Sequence, residues 1–139
     1  MSQLSIIVLA SFLLASFSSG ISIRLDWKMV DEQEHQQIVL IYENSTSDEM
    51  CITRGEWPTE TGKLSFAADS VALLVGAQRF PIRDFNTGTC IGDCRHHVLP
   101  GKTLVGKIPY NHFNLPKVLW NQDKKLDFRV HGYRCKDDP

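Results

Sequence analysis

The sequence lacks the features that mark several large classes of protein. Its 15 Lys and Arg residues nearly balance its 16 Asp and Glu residues, which gives a net charge of −1. This balance provides no electrostatic attraction toward nucleic acid or an anionic membrane surface. Internal repeats and low-complexity runs are absent. Strand and helix patterns do not alternate along the chain, so a parallel βαβ sheet is not predicted.

Recognised catalytic motifs are missing as well. The sequence contains no GxSxG, HExxH, GxGxxG, phosphate-binding P-loop or EF-hand loop. Three residues separate Cys90 from Cys94, so this pair is not the CxxC of thioredoxin-like redox proteins. Acidic side chains such as Asp31 and Glu49 fall in predicted turns, with no sign of a catalytic cleft. We therefore predict that the protein is not an enzyme, and a hydrolase without a recognised motif remains an alternative.

The first twenty residues carry no charged side chain. Residues 6–17 form an apolar run of signal-peptide length, which is too short to span a bilayer comfortably. Ser18 and Gly20 supply small residues before a cleavage site. We expect residues 1–20 to be a signal peptide and residues 21–139 to form one exported domain, secreted or periplasmic. An uncleaved membrane anchor is the alternative.

All four cysteines, Cys51, Cys90, Cys94 and Cys135, lie beyond this segment. An even number of cysteines in an exported chain indicates disulfides. Three pairings are possible, and the short spacing favours Cys90 with Cys94, which leaves Cys51 for Cys135. Loop-closure entropy assigns roughly 4–5 kcal/mol to the long bridge and about 2 kcal/mol to the short one. The long bridge is thus predicted to stabilise the fold, and the short one to fix the shape of a loop.

Alternating apolar and polar residues indicate about seven short strands separated by turn signals. The predicted strands cover residues 21–30, 37–43, 50–54, 71–75, 78–82, 103–110 and 126–135. Gly76 suits a type II′ turn between two of them, and Pro116 suits the start of a helical turn. The pattern predicts an all-β fold, an antiparallel β-sandwich that is immunoglobulin-like in architecture. Long loops and at most one or two short helical turns complete it.

Polar residues around the short bridge form the candidate binding loop: Asp93, Arg95, His96, His97 and Lys102. A stretch this polar is expected in a connection at one end of the sandwich. A loop held by a disulfide loses less entropy on binding than a free one. We therefore predict a non-enzymatic binding protein of inhibitor, immunity or accessory type. We expect its partner to be a protein. We expect the chain to have no cofactor, no nucleic-acid partner and no stable membrane insertion after signal cleavage.

The alternative to a binding protein is a protein of another functional class, a small metal-binding or redox protein. Cys90, Cys94, His96 and His97 are close in sequence, and thiolates and imidazoles are ligands for zinc and copper. Against this hypothesis, oxidised sulfurs no longer bind metal. Adjacent histidines on a strand also point to opposite sides, so they do not easily face one ion.

Asn44, Ser45 and Thr46 match the N-glycosylation sequon. The match has meaning only in a eukaryotic protein. It is short enough to arise often by chance.

Overall fold

The computed structural model describes residues 21–59, 71–82 and 90–138. Ten strands lie in these residues: β1 (Ile23–Arg24), β2 (Trp27–Glu32), β3 (Gln37–Glu43), β4 (Met50–Thr53), β5 (Val71–Val75), β6 (Gln78–Pro81), β7 (Arg95–Val98), β8 (Thr103–Pro109), β9 (Lys125–Phe128) and β10 (His131–Arg134). The helical segments in the same residues are short 3-10 turns at Gln33–His35, Arg54–Glu56, Tyr110–Phe113, Lys117–Leu119 and Cys135–Asp137.

The strands form three antiparallel sheets around one core. The strand orders are β1-β10-β4-β7, β2-β3-β8 and β6-β5-β9. Trp57, Tyr110 and Phe113 are the largest fully buried side chains of the core. The predicted all-β, antiparallel, sandwich-like fold is therefore confirmed. The described residues contain ten strands instead of about seven, and five short 3-10 turns instead of at most one or two helical turns. The immunoglobulin-like architecture remains a prediction.

Two predicted strands divide because the chain passes from one sheet to another. Residues 21–30 form β1 in the first sheet and β2 in the second, and residues 126–135 form β9 in the third sheet and β10 in the first. The two breaks lie side by side, since the Leu25 N–H donates to the Val130 carbonyl at 3.0 Å. Both side chains are buried there. The prediction of two continuous strands was wrong, because alternation persists across such a corner.

The hairpin of β5 and β6 confirms the prediction from turn chemistry. Gly76 has a φ of +58°, whereas Ala77 does not have a positive φ. This combination is that of a type II′ turn. Pro81, which lacks an N–H, lies at the end of β6 on the edge of its sheet. The 3-10 turn at Lys117–Leu119, with Pro116 as its N-cap, likewise follows the sequence prediction.

The stretch from Arg95 to Val98 was predicted as a loop, and this prediction was wrong. It forms β7, which pairs with β4 so that Arg95 lies opposite Thr53 and His97 opposite Cys51. The backbone of β4 provides the hydrogen-bond partners that make this stretch a strand, and the polar side chains of the stretch give no indication of this pairing. Alternation along β7 then turns Arg95 and His97 to one side and His96 and Val98 to the other.

The predicted signal peptide lies outside the described residues. Within the residues that are described, no helix is long and apolar enough to cross a membrane.

Candidate binding site at the disulfide-closed loop

Both bridges join the cysteines that the sequence analysis pairs, and no described cysteine is free. Cys51 lies on β4 and is fully buried, and Cys135 directly follows β10, the neighbouring strand. The long bridge therefore joins two segments that are adjacent in the fold, at a sequence separation of 84. Cys90 and Cys94 close an exposed loop directly before β7, with their Cα atoms 5.8 Å apart. Two disulfides are typical of an oxidising, extracellular-type environment.

Asp93 connects this loop to β7. Its carboxylate accepts hydrogen bonds from Arg95 Nε at 2.9 Å, from the Arg95 backbone N–H at 3.1 Å and from His97 Nε2 at 2.6 Å. The hydrogen bonds from Arg95 and then from His97 lower the pKa of Asp93 to about 2. Arg95 also forms an ion pair with Asp138 near the end of the chain. The last residues of the loop are thus held in one orientation by several charged partners.

His97 lies between the two disulfides. Its Nε2 contacts Asp93, and its Nδ1 lies 3.0 Å from Glu49 Oε1. The same Nδ1 lies 3.6 Å from Cys51 Sγ and 3.7 Å from Cys135 Sγ. The hydrogen bond with Asp93, followed by that with Glu49, raises the pKa of His97 above its usual value. The imidazole therefore carries a positive charge more readily here than in water, between two carboxylates.

His96 has the opposite environment, although it is the next residue along β7. It is half-buried, and its Nε2 has no hydrogen-bond partner among the described residues. Burial, and secondly the charge of Arg54, lower the pKa of His96. The imidazole is therefore neutral near pH 7. The structure separates the two histidines and brings only His97 into the charged cluster.

Lys102 lies apart from the other predicted residues. It belongs to the turn between β7 and β8, where its N–H donates to the Leu99 carbonyl at 3.0 Å. Its carbonyl accepts a hydrogen bond from the Asn44 N–H at 2.9 Å. This turn follows Val98, whereas the disulfide-closed loop precedes Arg95 at the other end of the strand. Proximity in sequence was a poor guide to position in this case.

Three residues of the site were not predicted. Glu49 and Asp138 reach His97 and Arg95 from segments that are distant in sequence, and no local pattern indicates such contacts. Ile91 lies inside the disulfide-closed loop and is 93% exposed, the highest value among the large hydrophobic residues of the described chain. The exposure of Ile91 could have been predicted from the sequence, because this apolar residue lies between two cysteines and beside a glycine.

The metal ligands proposed from the sequence do not converge as a set. In the described part of the chain, the ligand atoms that lie within 4.8 Å of one another belong to Cys51, His97 and Cys135. Cys90, Cys94 and His96 are not members of this group. The two cysteines of this group are therefore those of the long bridge, whereas the sequence suggested those of the short bridge. His97 belongs to both sets.

Asp31, predicted to lie in a turn, belongs to β2 and to a partly buried ion pair. Its carboxylate accepts a hydrogen bond from Lys124 Nζ at 2.8 Å and another from the Tyr110 hydroxyl. The Lys124 side chain is fully buried, and its Nζ also donates to the Gln122 carbonyl at 2.9 Å. Burial, followed by the contact with Asp31, raises the pKa of Tyr110. These contacts give Asp31 a structural role.

Asn44, the first residue of the sequon, is fully buried. Its side-chain amide donates to the carbonyls of Asp48 at 2.8 Å and Val98 at 2.7 Å. Its side-chain oxygen accepts from the Thr46 backbone N–H and hydroxyl. The nitrogen that a glycan would modify is therefore buried and engaged in hydrogen bonds, although Ser45 and Thr46 of the sequon are exposed.

Comparison of the chain with protein-family models, with curated proteins and with solved structures finds no match. The class of protein is therefore given by the structure alone, as an all-β chain with two disulfides.

Proposed function

We propose that the chain is an exported, non-enzymatic binding protein that presents the loop of residues 90–94 to a protein partner. The observation that carries this proposal is the 93% exposure of Ile91 inside a loop closed by a disulfide. When a partner covers an apolar side chain that is exposed to water, the burial of its apolar surface favours binding. A closed loop loses little additional entropy when the complex forms.

The surroundings of Ile91 fit such a role. Asp93 and Arg95 hydrogen-bond to each other, so their side chains lose less conformational entropy when a partner fixes their positions. Apolar anchors surrounded by polar residues are the usual arrangement of binding hot spots. The expected partner is a protein with an apolar pocket of the size of one aliphatic side chain, bordered by polar groups. Inhibitor, immunity and accessory proteins all use surfaces of this kind.

The test begins with a pull-down from the exported fraction of the source organism. The bound protein is then titrated with the parent chain and with Ile91→Asp. Burial of an isoleucine contributes about 1.5–3 kcal/mol, so the dissociation constant should rise about 10- to 100-fold. Val118→Asp is the matched control, because Val118 is 77% exposed but lies in the separate 3-10 turn at Lys117–Leu119.

A second variant tests the contribution of the bridge. Cys90→Ser combined with Cys94→Ser should weaken binding while it leaves the far-UV CD spectrum unchanged, because the loop must then be ordered during binding. Equal affinities for the parent, the Ile91 variant and the double serine variant would place the binding surface elsewhere on the protein.

A further inference from the structure

We propose that reduction of the Cys51–Cys135 bridge turns its surroundings into a zinc site. Three ligands already lie together, the two thiolates and His97 Nδ1, and the Glu49 carboxylate supplies the fourth after its side chain turns toward the sulfurs. The site does not include Ile91 and does not depend on the proposed function, although Asp93 of the same loop orients His97. It also differs from the set suggested by sequence spacing, since it uses the cysteines of the long bridge.

The distances suit a tetrahedral zinc ion. His97 Nδ1 lies 3.6 Å from Cys51 Sγ and 3.7 Å from Cys135 Sγ. Zinc bonds of about 2.3 Å to sulfur and about 2.0–2.1 Å to nitrogen place N and S ligands of a tetrahedron about 3.6 Å apart. Glu49 Oε1 lies 3.0 Å from the same nitrogen, slightly closer than a tetrahedral edge. Breaking the S–S bond allows the two sulfurs to move apart. The Glu49 side chain must also turn toward them, because its carboxylate does not belong to the group of ligand atoms that lie within 4.8 Å of one another.

The other side of the His97 ring is already arranged as in metal sites. Asp93 Oδ2 lies 2.6 Å from Nε2. Ligating histidines generally donate the N–H of the second ring nitrogen to a carboxylate or carbonyl, which fixes the ring and its tautomer. With Nε2–H bonded to Asp93, the ring stays in place when zinc replaces the Nδ1 proton that faces Glu49, and the Nδ1 lone pair then binds the ion. Asp93 is therefore a positioning residue for this site.

The chemistry balances with one external reductant. A phosphine breaks the S–S bond and, with one water molecule, becomes the phosphine oxide, while the two protons of that water complete two thiols. A dithiol instead becomes a disulfide itself and passes its own two protons to the cysteines. Zinc then displaces these protons as the thiolates bind it, so the two thiols release two protons for each ion. The bridge and the zinc ion both hold Cys51 beside Cys135, and each therefore keeps β10 against β4.

The test uses the Cys90→Ser, Cys94→Ser variant, because only Cys51 and Cys135 then remain as thiols. The variant is reduced with a phosphine under anaerobic conditions and titrated with Co²⁺, then with Zn²⁺. The expected result is one Co²⁺ per chain, with tetrahedral d–d absorption and thiolate-to-cobalt charge transfer, both lost on addition of Zn²⁺. The same variant without reduction should show neither band.

Further substitutions separate this site from adventitious binding to thiols. His97→Ala should lose the tetrahedral spectrum, and Asp93→Asn should weaken binding about 10- to 100-fold. His96→Ala, the neighbouring residue on the opposite side of β7, should bind like the parent. Far-UV CD is recorded throughout. If the reduced chain is unfolded and Zn²⁺ restores the β spectrum, the proposal is supported. A chain that stays unfolded at saturating Zn²⁺, or equal affinities with and without His97, would overturn it.

Discussion

Loss of the long bridge should destabilise the protein far more than loss of the short one. The chain-entropy relation depends on the number of residues in the closed loop. A sequence separation of 84 residues for Cys51–Cys135 corresponds to about 4–5 kcal/mol. A separation of 4 for Cys90–Cys94 corresponds to about 2 kcal/mol. Since small domains have unfolding free energies of roughly 5–15 kcal/mol, the first loss removes a large part of the stability.

Alanine is the suitable replacement at the long bridge, because Cys51 is fully buried and a serine hydroxyl there would add an unsatisfied polar group. Urea unfolding of Cys51→Ala/Cys135→Ala and of Cys90→Ala/Cys94→Ala provides the comparison. The first variant should also show a larger m-value, since its unfolded chain is less constrained and exposes more surface. Equal losses of unfolding free energy, or a larger loss from the short bridge, would refute the reasoning.

Three further predictions follow from the other contacts. Because Asp93 raises the pKa of His97, the stabilisation that His97 provides is complete below about pH 6.5 and is lost as the pH rises through the raised value. The difference in unfolding free energy between the parent and His97→Gln should therefore shrink in a series of urea titrations from acidic to alkaline pH, and a constant difference would contradict this. Asn44→Ala should cost about 1–3 kcal/mol in equilibrium unfolding, because the Val98 carbonyl loses its donor in a buried contact and the Asp48 carbonyl loses its donor in a partly buried one. Intact mass from a eukaryotic host should show no glycan at this position. The mature N-terminus should be Ile21, or Ser19 after a cut at Ser18, and an intact mass that includes Met1 would disprove cleavage.

The parts of the fold that depend on local chemistry could be predicted from the sequence. The β5–β6 hairpin follows from a glycine at the one turn position that needs a positive φ. The strand corners at Leu25 and Val130 could not be predicted, because alternation continues through both of them. Whether an alternating run stays in one sheet depends on its hydrogen-bond partners, and these lie far away in the sequence.

The candidate site likewise contains contacts that local sequence predicts and contacts that depend on distant parts of the chain. Asp93, Arg95 and His97 lie two positions apart in sequence. Such residues share one side of a strand, which brings the side chains of β7 and of the residue just before it together. Their partners Glu49 and Asp138 depend on the pairing of β7 with β4 and on the position of the chain end. Local sequence contains no information on either.

The pairing of β1 with β10 bears on how the protein acquires its fold. Ile23 lies opposite Gly132, so these contacts join the first and the last described strands of the chain. Contacts between such distant positions close late, and folds dominated by them are slow to form. The first sheet therefore stays incomplete until β10 has left the ribosome. Until then β1 lacks its partner, so this sheet forms only after the last described strand has been synthesised.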